Sequence, residues 1–157
     1  MSEKLVRLLL NRKFEEGQYW RHQFYTAGDI ILHEGDTCKD IYVLLEGQVR
    51  VLGSVKLEND KTMRPGISDL RAGTVFGELA VFEDAPRTAS VQALVDSDIA
   101  VINGPALLNF LGENPDLGFE VLLELMGTQA NRLRKANKRV ASLLAWGMKS
   151  HAIDSKL

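Results

Sequence analysis

Between Phe24 and Ile102 apolar residues recur at every second position, in short runs broken by turn residues, and this pattern restricts the fold most tightly. Ile30 and Leu32, then Ile41, Val43 and Leu45, then Val49 and Val51, each alternate as a strand with one inward face. Val91, Ala93 and Val95, and then Ile99 and Val101, do the same. Gly28-Asp29, Glu34-Gly35-Asp36, Glu46-Gly47, Asn59-Asp60, Pro65-Gly66 and Ala72-Gly73 supply turns between them. Many short strands at this spacing predict a β-sandwich or jelly-roll barrel. Residues 56–65 read as the tip of an exposed hairpin.

Helical spacing brackets this β region. Leu5, Leu8 and Leu9 predict a short amphipathic helix over about 3–14. After Asn103-Gly104-Pro105 the helical period returns, and Asn114-Pro115-Asp116 has the form of a helix start. Phe119, Leu123, Met126, Ala130, Leu133, Asn137, Val140 and Leu144 then alternate at spacings of four and three, an a/d heptad seam. Part of that stripe serves to pack the helix on its own β-roll. A seam this long exceeds what one small barrel face needs, so a homodimer through the C-terminal helix is expected. The fold class is α+β: an antiparallel β-roll, jelly-roll-like, over about 24–102. A helix at about 3–14 and a long helix at about 115–147 flank it. At 157 residues the chain fits one domain, 1–157, since ~100–200 residues per domain is usual.

Composition narrows the function classes. Hydrophobic content of 45% and charged content of 25% are ordinary for a globular chain. A net charge of −2 gives no global field favouring nucleic acid or an anionic membrane. No apolar run approaches the ~20 residues of a membrane span, and Leu8-Leu9-Leu10 is too short for a signal-peptide core. The single cysteine, Cys38, forms no internal disulfide and supports no multi-cysteine metal site. A cytoplasmic protein without cofactor or metal is the expectation.

Residues 76–91 carry the chemistry. Gly77 supplies a turn into a short helix-forming stretch that opens with Glu78, and Arg87 follows Pro86 nine residues after that glutamate. Amides at a helix N-terminus favour an anion. An arginine fork matches two phosphate oxygens at once. A carboxylate beside such an anion is repulsive unless it accepts from a neutral attached donor, such as a ribose hydroxyl. Phosphate donors next to a sugar acceptor describe a small nucleotide. The competing readings are a first-turn surface carboxylate for Glu78 and an ion pair with Glu83 or Asp84 for Arg87.

This segment resembles the phosphate-binding cassette of the cyclic-nucleotide-binding domain family, of the catabolite activator and kinase-regulatory type. The match runs through Phe76-Gly77-Glu78-Leu79-Ala80 and Pro86-Arg87-Thr88-Ala89-Ser90-Val91. An upstream block agrees: Gly28-Asp29, Ile31, Glu34-Gly35-Asp36, Tyr42, Gly47, Val49 and Val51. The resemblance covers roughly residues 20–145.

Under that resemblance Glu78 accepts from the ribose 2′-hydroxyl and Arg87 binds the cyclic phosphate. Loss of the arginine then weakens binding and changes the unliganded fold little. Leu79, Ala80 and Ala89 act beside Gly77 in the cassette, Leu79 and Ala89 through backbone N–H groups. Thr88 donates to the phosphate or to a guanine edge, or simply opens a strand, so cAMP and cGMP both remain. Val51 and Ile67 match positions that pack on the purine, and equally suit ordinary strand core. Asn137 either fixes helix register in a dimer or reaches the purine, and Arg132 is a second candidate on the same helix. The basic stretch from Arg132 to Arg139 reads as a solvated face.

The implied function is a non-catalytic sensor of a 3′,5′-cyclic purine nucleotide, coupled to movement of the C-terminal helix and read by a downstream protein. Two alternatives stand beside it: a nucleotide-free scaffold, and an excised sensor fragment of a transcription regulator. The thirteen residues from Ala145 to Leu157 leave no room for a helix-turn-helix, so direct nucleic-acid binding is not expected. Cupin-type metal enzymes need clustered ligands, whereas His22, His33 and His151 are scattered.

Overall fold

The computed structural model describes residues 2–154, so Met1 and residues 155–157 of the expected domain lie outside the described residues. The chain divides into two units, residues 1–119 and 120–157.

In the first unit ten strands follow a short helix. They are β1 (Trp20–Tyr25), β2 (Ile30–Leu32), β3 (Ile41–Glu46), β4 (Gln48–Leu52), β5 (Val55–Lys56), β6 (Thr62–Met63), β7 (Gly66–Arg71), β8 (Val75–Phe76), β9 (Ser90–Ala93) and β10 (Ser97–Ile102). Two four-stranded antiparallel sheets form, in the orders β1-β10-β3-β8 and β2-β9-β4-β7, with β5-β6 as a separate hairpin. The architecture is a β-roll of two open sheets rather than a closed barrel. Between the sheets lies a core of Ile31, Leu32, Val49, Val91 and Ala93 from one and Tyr42, Leu44, Phe76, Ile99 and Val101 from the other.

β3 departs from simple alternation. Ile41, Tyr42, Val43 and Leu44 are all buried. Tyr42 and Leu44 enter the core between the sheets. Ile41 and Val43, on the opposite face of the pleat, are covered as well. Phe14 belongs to an aromatic group with Tyr19 and Phe110, at ring-centroid distances of 4.7 and 5.1 Å. A strand buried on both faces reads as a continuous apolar run.

The expected N-terminal helix over 3–14 is shorter: α1 spans Glu3–Leu8. Beyond its end the Asn11 side-chain carbonyl accepts the Lys13 amide at 2.9 Å, a local turn in place of a further helical turn. α2 is Leu79–Phe82 and α3 is Gly104–Glu113. Asn103 caps α3, its side chain accepting from the Ala106 amide at 2.9 Å, with a proline in the first turn.

α4 spans Pro115–Asp154, opening at the expected proline and running past the expected end at 147. The seam residues stay exposed along it: Phe119 at 65%, Met126 at 68% and Leu133 at 63%, with Leu123, Val140 and Leu144 also above half.

Candidate functional site

The segment from Gly77 to Ala89 joins the two sheets. β8 pairs with β3 at Tyr42–Phe76 in the first sheet, and β9 lies between β2 and β4 in the second. Gly77 turns the chain with φ +74 into α2. The conformation favours glycine, and a Cβ there would meet Arg87 Nη1 and Tyr42 Cδ2 at 3.0 Å, close enough that those side chains would have to shift.

Arg87 is 7% exposed. Its Nη1 donates to the carbonyl of Gly77 and its Nη2 donates to the carbonyl of Asp40 at 2.6 Å. Nε is buried and has no hydrogen-bond partner. The main chain of Arg87 is fixed by the upstream motif: its amide donates to Asp36 O, and its carbonyl accepts from the Gly35 amide, both at 2.8 Å. Asp84, the ion-pair candidate from the same loop, pairs instead with Lys39 at 3.1 Å.

Glu78 is 1% exposed, far from the surface position a simple first-turn carboxylate takes. It occupies the N-cap of α2 without capping through its side chain. Buried carboxylates occur where they are partnered, and Glu78 does have an interaction within the protein.

Of the other expected residues, Ala80 is buried, Ala89 is half-buried, Thr88 is exposed and Leu79 is 47% exposed. Val51 is half-buried on β4, opposite Val91 of β9 and Ser68 of β7. Ile67, on β7, is 45% exposed and crowds Gly53. Gly77, Glu78, Leu79, Ala80, Arg87, Thr88 and Ala89 thus gather in the first unit. Arg132, half-buried, and Asn137, exposed, belong to the helical unit.

Three contributors were not singled out as site residues in the sequence. The Asp40 carbonyl receives Arg87, Ser90 Oγ accepts the Glu34 amide at 2.9 Å, and the Tyr42 ring lies 5.8 Å from Arg87 Cζ. Burial pushes the Tyr42 phenol up to about 12, so it stays neutral at physiological pH. Tyr42 stands in the upstream motif and was visible there. Main-chain acceptors such as Asp40 O leave no mark in side-chain identity.

A separate open cleft of about 410 Å³ is lined by Phe24, Tyr25, Thr26, Glu46, Asp96, Ser97 and Asp98 and shares no residue with the cassette. Among the described residues no group of acidic, histidine or cysteine side chains is suited to hold a metal, and no helix is long and apolar enough to cross a membrane.

A family model described as "Cyclic nucleotide-binding domain" matches residues 22–114. The chain is 31% identical over 123 residues to the cAMP-activated global transcriptional regulator Vfr of Pseudomonas aeruginosa, covering 76% of this chain and 54% of that protein. It is 36% identical over 90 residues to the cAMP-dependent protein kinase regulatory subunit of Hypocrea atroviridis, covering 57% of this chain and 18% of that one. It therefore spans about half the length of the first relative and under a fifth of the second. A solved cyclic nucleotide-binding domain from Methylobacillus flagellatus superposes with a TM-score of 0.69 at 25% identity, over 88% of this chain and 81% of that one.

Proposed function

The chain belongs to the cyclic nucleotide-binding domain family, and from that premise we propose that it is a non-catalytic sensor of cAMP or cGMP. The observation that carries this reading is Arg87, a guanidinium 7% exposed whose Nε lacks an acceptor. Burying a cation is unfavourable unless an anion or hydrogen-bond acceptors receive it. Two carbonyls hold its terminal nitrogens, and a cyclic phosphate supplies the negative charge they do not.

In this reading Arg87 binds the phosphate, a charge-assisted contact contributing ~1.5–3 kcal/mol. Main-chain amides of Leu79 and Ala89 assist it, with Ala80 alongside and Thr88 placed to add a hydroxyl. Glu78 accepts from the ribose 2′-hydroxyl. Val51 and Ile67 offer apolar surface to the purine at ~25 cal/mol per Å² buried. Ligand ordering of the cassette is coupled to the C-terminal helix as a population shift, limited by the ligand's differential affinity for the two states. A homodimer along the exposed α4 seam, in the cytoplasm, with an unidentified protein reading its state, completes the proposal.

Isothermal titration of nucleotide-stripped protein with cAMP and cGMP tests it. Saturable heat with either nucleotide is expected. Absence of heat and of any thermal shift at millimolar concentrations of both would leave the nucleotide-free scaffold as the function.

A further inference from the structure

Tyr42 packs its ring parallel to that of Phe76, at 5.2 Å between centroids and 10° between planes. One charged group also lies near the ring. Arg87 Cζ lies 5.8 Å from the ring centroid, within the usual range for a cation over an aromatic face. A Cβ on Gly77 would lie 3.0 Å from both Arg87 Nη1 and Tyr42 Cδ2, so the guanidinium, the ring and the turn pack tightly together.

A planar guanidinium held only by two hydrogen bonds, to Gly77 O and Asp40 O, can still tilt about the line joining those bonds. An aromatic surface beside it opposes that tilt, through contact and through attraction of the cation to the ring's negative face. We propose that Tyr42 is a positioning residue, holding the Arg87 guanidinium in the plane from which it receives the cyclic phosphate. This rests on the reading of Arg87 as the phosphate ligand. Tyr42 is also core, 7% exposed among Leu44, Val49 and Phe76, so loss of stability on substitution would not by itself distinguish the roles.

The test compares Tyr42→Phe, which keeps the ring, with Tyr42→Leu, which keeps apolar bulk, and Tyr42→Met as a second variant should the leucine protein not fold. Two readouts separate positioning from packing. The first is the NMR order parameter of the Arg87 Nε–H without ligand. It should stay rigid in wild type and Tyr42→Phe and become mobile without the ring. The second is cyclic-nucleotide affinity. Tyr42→Phe should bind like wild type and Tyr42→Leu roughly tenfold more weakly, with no further loss when Arg87 is already alanine. An equally rigid Nε–H in Tyr42→Leu, wild-type affinity, or the same loss in the Arg87→Ala background would overturn the proposal. Should wild type bind neither nucleotide, the phosphate reading fails. The order parameter then still decides whether Tyr42 fixes Arg87.

Discussion

Arg87 Nη1 donates to the carbonyl of Gly77, ten residues earlier in the chain, so the cassette closes on itself through a side chain. The opposite side of the guanidinium reaches Asp40, forty-seven residues away, and the arginine's main chain is clasped by Gly35 and Asp36. The two sequence blocks that carry the family resemblance meet at this one residue.

Gly77→Ala should disturb that closure. The residue sits at φ +74, where a side chain costs roughly 1–2 kcal/mol, and its Cβ would press on Arg87 and Tyr42 at 3.0 Å. A lowered melting temperature together with weaker nucleotide binding is expected. Unchanged affinity in calorimetry would show that the turn does not govern the arginine.

Arg87→Lys keeps the charge and loses the fork, so affinity should drop markedly, and Arg87→Ala should drop it further. Sequence reasoning expects little change in the unliganded fold. The two main-chain contacts of the buried guanidinium argue for a larger effect, because alanine strips partners from the Gly77 and Asp40 carbonyls. Denaturant unfolding of unliganded Arg87→Ala should show a loss of about 1–3 kcal/mol. Wild-type stability in that experiment would count against the buried anchoring.

For Glu78 the sugar contact is separable from conformation. Glu78→Ala should weaken cAMP binding, while a 2′-deoxy cyclic nucleotide binds mutant and wild type about equally. An equal loss with both ligands would assign Glu78 to shaping the cassette rather than to the sugar.

The α4 seam predicts assembly. Leu133 and Val140, 63% and 54% exposed, are the positions at which glutamate would set like charges against each other across the seam. Light scattering should give near twice 17.5 kDa for wild type. Leu133→Glu and Val140→Glu should be monomers, and Asn137→Leu a tighter dimer with looser register. A monomeric wild type at tens of micromolar, with and without nucleotide, refutes the dimer.

His22 makes stability depend on pH. Its Nδ1 lies 3.0 Å from Asp98 Oδ1, and this hydrogen bond raises its pKa above 6.5, with a smaller charge contribution from Glu16. The protonated ring is favoured in the folded state, so its contribution is complete below the unfolded value and fades as pH rises through the raised one. Melting temperature relative to Asp98→Asn should therefore narrow from about pH 6 to about pH 8. The effect is modest because the imidazole is 37% exposed and water screens the pair. A difference that stays constant across that range removes His22 as its source.

What the sequence determined was local. Alternation at β2, β3, β4, β9 and β10 named those strands, the proline at 115 placed the start of α4, and the cassette spacing named the family. β1 and β7 escaped notice because they are edge strands with mixed, half-exposed burial, and β8 because two residues carry no period. Tertiary structure alone decided that β3 is buried on both faces, with Ile41 and Val43 covered as fully as Tyr42 and Leu44. It alone decided the partners of Arg87: main-chain carbonyls are common to all residues, so only the path of the chain through space selects Gly77 and Asp40 to receive it.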